Sequence, residues 1–190
     1  MTKILDELKD YALSNKIPIV QDETLSFIMD FIEEKKITSI LEIGTAIGYS
    51  AISMSENKNV KRIVTLERNY GYAQIADINI GRAEKDEIIE VVYLDALEYQ
   101  TKEHFDLLFI DGAKAQYRKC FDRYIDQVDY VIVDNMDFHG LVDDPGMITN
   151  RHTRNLVRKI AKFKEEILED SRYECLYSKT GDGILLINKR

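Results

Sequence analysis

The stretch Ser39-Ile40-Leu41-Glu42-Ile43-Gly44-Thr45-Ala46-Ile47-Gly48-Tyr49-Ser50 constrains the chain most: an apolar run closes on an acid, a glycine-bearing turn follows, and a helical pattern begins. That order reads as strand, tight loop and helix. Glycines at 44 and 48 let a ligand approach the main chain, and the amides that open the next helix favour electron-rich groups. The spacing is G-x-x-x-G, with Ala46 where the dinucleotide fingerprint requires its middle glycine, so pyrophosphate binding is disfavoured. Glu42 would repel a diphosphate but suits a ligand bearing an ammonium or sulfonium charge, and S-adenosylmethionine bears both. Taken alone, the turn fits an ordinary strand-to-helix connection equally well.

Strand and helix signals alternate around this turn. Leu5, Leu8 and Ala12 recur at helical spacing before the break Ile17-Pro18-Ile19-Val20. Asp22 stands where it can cap a second helix with the stripe Leu25, Ile28, Met29 and Ile32. Strands are then expected near 40–43, 62–67, 88–93, 105–111 and 130–134, with helices from about Ser50, Tyr70 and Gln116 between them. The strands are nearly continuous apolar runs, as buried parallel strands are. A loop containing Pro145 and Gly146, a helix over 154–168 and a hairpin of 173–177 with 183–187 complete the chain. The pattern predicts an α/β fold with a doubly wound, Rossmann-like sheet, in a single domain over 1–190.

Composition narrows the function. The 190 residues are 45% hydrophobic and 32% charged, and no apolar run reaches the roughly 20 residues of a membrane span, so a cytoplasmic location is expected. Cys120 and Cys175 are too far apart in sequence for a zinc or redox motif and are expected to be reduced thiols. The net charge of −8 argues against indiscriminate nucleic-acid binding, although a local basic face remains compatible with it.

Ligands of open α/β sheets bind beyond the carboxyl ends of the strands, and here those ends are acidic: Glu42, Glu67, Asp95, Asp111 and Asp134-Asn135. Glu67 is placed to accept two ribose hydroxyls and Asp95 to take an adenine amine. Asp111, Asp134 and Asn135 are all-oxygen donors on adjacent strand ends, suited to magnesium. Helix caps would use the same residue types at that spacing. Lys114, three residues after Asp111, can lean over this group as a general base.

Three motifs in order then resemble a known class. Leu41 to Ser50, Phe109-Ile110-Asp111-Gly112-Ala113-Lys114-Ala115-Gln116-Tyr117 and Val133-Asp134-Asn135 look like the cofactor, metal/lysine and metal motifs of the metal-dependent, catechol-type S-adenosylmethionine O-methyltransferases. Within that class Ile17-Pro18-Ile19-Val20, the basic helix after Asn150 and the ending from Gly181 are most similar to the bacterial tRNA 5-hydroxyuridine methyltransferases. The resemblance implies a class I methyltransferase with a seven-stranded, mostly parallel sheet, a C-terminal antiparallel hairpin and a homodimeric assembly. It also implies cofactor contacts at Val20, Glu42, Gly44, Ser50, Glu67, Asp95 and Asp111, and magnesium ligation by Asp111, Asp134 and Asn135. The chain starts about one helix short of the family pattern, and Leu94 stands where the family carries a glycine.

The expected activity is O-methylation of 5-hydroxyuridine at the tRNA wobble position, with Asp111 and Lys114 catalytic and small catechol-like substrates as the alternative. A nicotinamide oxidoreductase would need the missing glycine, and a non-catalytic binding module would not need both metal acids and Lys114. For the nucleic acid, Arg151, Arg154, Arg158 and Lys162 are the candidate contacts, since the stretch 151–164 carries six basic residues and no acid. Arg154, Arg158 and Lys162 are expected on one helical face, opposite Leu156, Ile160, Phe163 and Ile167. A solvated surface helix has the same pattern.

Overall fold

The computed structural model describes residues 3–112, 114–144, 146 and 148–190, so Pro145 of the expected loop and Ala113 of the Asp111–Lys114 motif lie outside the described residues. Helices α1 (Lys3–Asn15) and α2 (Asp22–Lys35) precede β1 (Ser39–Ile43), α3 (Tyr49–Ser55), β2 (Arg62–Leu66), α4 (Tyr70–Arg82) and β3 (Ile89–Val92). Then come β4 (Phe105–Ile110), a 3-10 turn over Lys114–Gln116, α5 (Tyr117–Tyr124), β5 (Val128–Val133), α6 (Arg151–Leu168), β6 (Tyr173–Ser178) and β7 (Ile184–Lys189).

The seven strands form one sheet in the order β3-β2-β1-β4-β5-β7-β6. Strands β1 to β5 are parallel, whereas β7 runs antiparallel to both β5 and β6, which is the expected C-terminal hairpin. Strand order reverses between β1 and β4, and in a doubly wound sheet the crevice above that switch point receives the ligand. Alternation along each strand sorts the core into two layers. Ile40, Ile63 and Leu107 pack with α1 to α4 on one face, while Leu41, Val64 and Leu108 pack with α5 and α6 on the other. Cover on both faces is why these strands read as unbroken apolar runs.

Two helix starts differ from expectation. Asp22 is the first residue of α2 and not its cap: the N-cap is Gln21, without a side-chain cap bond, and the Asp22 carboxylate pairs with Lys9 at 2.5 Å. Helix α6 begins at Arg151, three residues early, because the Asn150 side chain accepts a bond from the His152 amide at 2.7 Å and caps the first turn. Both cysteines are free thiols, and burial pushes Cys120 up to about 11, consistent with packing and not reactivity. Among the described residues no helix is long and apolar enough to cross a membrane.

Candidate active site

The crevice at the switch point is a cavity of about 520 Å³ bounded by the carboxyl ends of the parallel strands and by Pro18, Ile19 and Gln21 of the segment before α2. Its floor depends on two glycines. Gly44 has φ +105°, a Cβ there would stand 2.9 Å from the Gly112 amide nitrogen, and one on Gly112 would stand 3.0 Å from the Gly44 Cα. The loops after β1 and β4 therefore cross with no room for a side chain, which gives Gly112 a role its sequence position did not disclose.

On the β2–β3 side the cavity meets Glu67 and Asp95. The Glu67 carboxylate is oriented from both ends, by the Ala46 amide at 3.0 Å and the Asn69 amide at 2.8 Å. Ala46 reaches it from a left-handed conformation, φ 45°, so the position where a dinucleotide fold has glycine is still strained in the glycine direction. Asp95 accepts the Leu97 amide at 2.9 Å and has Arg68 at 3.8 Å.

Three expected cofactor residues stand behind this wall and not on it. Val20 is buried between Ile19 and Gln21, which do line the cavity, and Ser50 turns its hydroxyl onto Glu42 at 2.6 Å. Glu42 is fully buried, with its second oxygen accepting from the Thr65 hydroxyl at 2.5 Å, and Thr65 in turn meets Thr45 at 2.6 Å. Burial pushes its carboxyl up to about 7 despite the two hydroxyl donors. Both Glu42 oxygens are thus held in a hydroxyl network one layer below the cavity wall.

On the β4–β5 side the sheet itself brings the metal candidates together. Ile110 pairs with Val133, and the Asp134 amide donates to the Ile110 carbonyl at 3.0 Å, which sets Asp111 and Asp134 side by side at the cavity wall. Burial, then the Asp134 charge, raises the Asp111 carboxyl well above the usual range, with Lys114 opposing; Asp134 is likewise raised, chiefly by burial. Asn135 follows at φ 59°, a conformation asparagine tolerates, and its Oδ1 accepts from the Lys114 ammonium. Burial lowers the Lys114 pKa, while Asp111, Asp134 and Asp182 pull it upward. Two carboxylates against one ammonium leave this wall short of positive charge, and the oxygen donors suit a hard divalent cation. Among the described residues no three His, Cys, Asp or Glu side chains cluster as ligands, so a cation held here would need the Asn135 amide as a third donor.

Asp182 and Thr24, which the sequence did not mark as site residues, support this wall. Asp182, 6% exposed, accepts from the Asn135 side-chain nitrogen at 3.3 Å and from the His139 amide, turning the amide oxygen of Asn135 toward Lys114. Thr24 of α2 donates to Asp134 at 3.4 Å, and the Tyr117 hydroxyl donates to the Asp134 carbonyl at 2.8 Å. Thr24 stands one turn before Ile28, at the N-terminal end of the buried stripe of α2, and a polar residue in that register was the available signal.

The basic helix presents Arg154, Arg158 and Lys162 on its exposed side, as expected, with Val157, Ile160, Phe163 and Ile167 buried opposite. The three border two clefts, Arg154 and Arg158 one with Val142 and Val157, and Lys162 another with Lys159 against α5. Arg154 is tied to the Ile148 carbonyl at 2.7 Å, and Lys162 lies 3.6 Å from Glu166. Arg151 is exposed like these three, and none of the four borders the 520 Å³ cavity.

This topology, with its crevice at the β1/β4 reversal and its antiparallel last strand, is the Rossmann-like methyltransferase fold. A family model described as O-methyltransferase matches residues 2–190, and the chain belongs to that family. A structure from Staphylococcus aureus provisionally named a caffeoyl-CoA O-methyltransferase is 31% identical, with a TM-score of 0.94 over 100% of this chain and 93% of that one. An O-methyltransferase from Bacillus cereus in complex with SAH is 27% identical, with a TM-score of 0.81 over 100% and 92%. A catechol O-methyltransferase of Mycobacterium tuberculosis is 32% identical over 129 residues, 62% of this chain and 59% of its own length. The chain thus spans less than two thirds of that curated relative.

Proposed function

We propose that the protein is an S-adenosylmethionine-dependent O-methyltransferase that converts 5-hydroxyuridine to 5-methoxyuridine at the wobble position of cytoplasmic tRNA. One observation carries the reading: Asp111, Asp134, Asn135 and Lys114 meet on one wall of a cavity whose opposite side presents Glu67 and Asp95. Glu67, held by two backbone amides, accepts the ribose hydroxyls of the cofactor, and the Asp95 segment takes its adenine. Gly44 allows the main chain to come close to the amino-acid portion. Asp111 lies where the two halves meet and serves both.

Asp111, Asp134 and Asn135 would hold magnesium, which when bound supplies a Lewis acid that lowers the pKa of a substrate hydroxyl. Lys114 receives the hydroxyl proton at Nζ, and its buried position weakens its hold on a proton of its own. The substrate oxygen then takes the methyl carbon as the carbon–sulfur bond breaks. Alignment of two bound reactants by this wall is worth on the order of 7–11 kcal/mol when it is good. A vicinal oxygen pair is what the site selects, and 5-hydroxyuridine offers one in its 5-hydroxyl and 4-carbonyl.

A small catechol offers the same pair, and the likeness to the Mycobacterium tuberculosis catechol O-methyltransferase favours that second reading. Labelled cofactor incubated with tRNA lacking only this methyl group, and in parallel with a catechol, decides between them. Label in the tRNA anticodon is expected; label in the catechol alone would select the second reading. The family resemblance further supports a homodimer, which sedimentation would test.

A further inference from the structure

Beside the reaction cavity lies a second cavity of about 530 Å³, between α5 and α6. Lys114 lines both, so the two meet at the group that takes the substrate proton. The second cavity is a groove walled by Arg118, Lys119, Lys159 and Lys162 over a floor of Phe163 and Tyr117, with Glu166 as its one acidic lining residue. Glu166 is already engaged by Arg118 at 3.3 Å and Lys162 at 3.6 Å. Among the described residues no carboxylate lies within 4.0 Å of Lys119 or Lys159, and both are exposed. On a chain of net charge −8 this leaves a cationic track that leads away from the site of proton transfer.

We propose that this groove carries the phosphodiester backbone of the RNA strand next to the target nucleotide, with Lys119 and Lys159 as its phosphate contacts; the inference rests on the tRNA reading above. A base that enters the reaction cavity leaves its sugar and flanking phosphates outside, and a positive groove that tracks the backbone is the usual means of holding them. Lys159 and Lys162, three apart on α6, are neighbours on one helical face, and Lys119 faces them from α5. The cleft beneath Arg154 and Arg158 is the weaker candidate. It is lined by Val142, Val157 and Ala161, shares no lining residue with the reaction cavity, and has Arg154 tied to the Ile148 carbonyl.

The test is tRNA binding by the full chain, read by fluorescence anisotropy across a salt series with unmethylated tRNA as probe. Lys119→Glu with Lys159→Glu should weaken binding about tenfold or more and flatten the log–log salt slope by about 1.4, two contacts at roughly 0.7 each for a single strand. Affinity for S-adenosylhomocysteine and the thermal midpoint report folding. Should the double Glu variant melt early, Lys119→Ala with Lys159→Ala decides: weakened binding supports the groove and unchanged binding refutes it. If Arg154→Glu with Arg158→Glu loses tRNA while the groove variants keep it, the groove is wrong and the tRNA reading stands. A wild-type chain that binds tRNA no better than unrelated DNA overturns both.

Discussion

Two buried acidic groups flank the switch point, and they are built in opposite ways. Glu42, at the end of β1, has each carboxylate oxygen bonded to a hydroxyl, of Ser50 and Thr65, and no border with the cavity. Asp111 and Asp134, ending β4 and β5, open onto the cavity, lie beside each other and face Lys114 and Asn135. All three carboxyls are raised by burial. A lone buried carboxyl that titrates near neutrality can be neutralised by a proton, so neutral donors complete its surroundings. A pair raised partly by mutual repulsion is relieved far better by a shared cation. Proximity to the strand ends does not distinguish a structural acid from a reactive one; the charge and accessibility of its surroundings do.

The largest expected effect tests the open pair. Asp134→Asn should reduce methyl transfer about a thousandfold, several kcal/mol of barrier, while cofactor affinity is kept. Because both carboxyls are raised in the folded state, the wild-type chain loses stability as pH rises through their folded values, and removing one charge should raise the metal-free thermal midpoint at pH 8. Magnesium at 100 times its dissociation constant should stabilise the wild type by about 2.7 kcal/mol and Asp134→Asn hardly at all. Equal stabilisation of both by magnesium, in calorimetric scans with and without EDTA, would remove the cation from this wall.

Lys114→Met comes next, with turnover down by about 10²–10⁴-fold and little change in cofactor or substrate binding, since a base acts chiefly in the transition state. A chain that melts earlier yet keeps its turnover number would make Lys114 a structural partner of Asn135. Glu67→Ala should cost roughly 1.5–3 kcal/mol in cofactor affinity by calorimetry, the range for charge-assisted hydrogen bonds. Unchanged affinity would mean that the carboxylate serves only to hold Ala46 and Asn69.

The sheet and the convergence of Glu67, Asp95, Asp111, Asp134 and Asn135 on one cavity were legible, because strand ends in a parallel sheet are fixed by hydrophobic period and register. What sequence could not separate was which strand-end acid borders the cavity and which lies behind it. Glu42 and Asp111 each end an apolar run, and only the hydroxyls of Ser50 and Thr65, folded over Glu42, tell them apart. Asp182 was hidden differently. It reaches Asn135 from 47 positions away, across a hairpin whose return beside β5 is a tertiary fact. The exposed row Arg154, Arg158, Lys162 was legible from helical period, but not that it borders two clefts, which depends on what packs beside α6.

The smallest expected effect sharpens the sealed side. Glu42 has a folded pKa of about 7 against an ordinary 4.5, so the folded state binds the extra proton between those values. Stability contributed by the protonated form is complete below pH 4.5, declines as pH rises toward 7 and is gone above it, to a limit of about 3 kcal/mol for a shift of this size. Glu42→Gln keeps the shape and removes the titration. Its amide can donate to one hydroxyl and accept from the other, because Ser50 and Thr65 can each act in either role. The variant should therefore match the wild type near pH 4.5 and exceed it at pH 8 by about 1–3 kcal/mol in urea unfolding. A loss at pH 8 would show that the folded state keeps the ionised carboxylate and that the hydroxyl network depends on its charge.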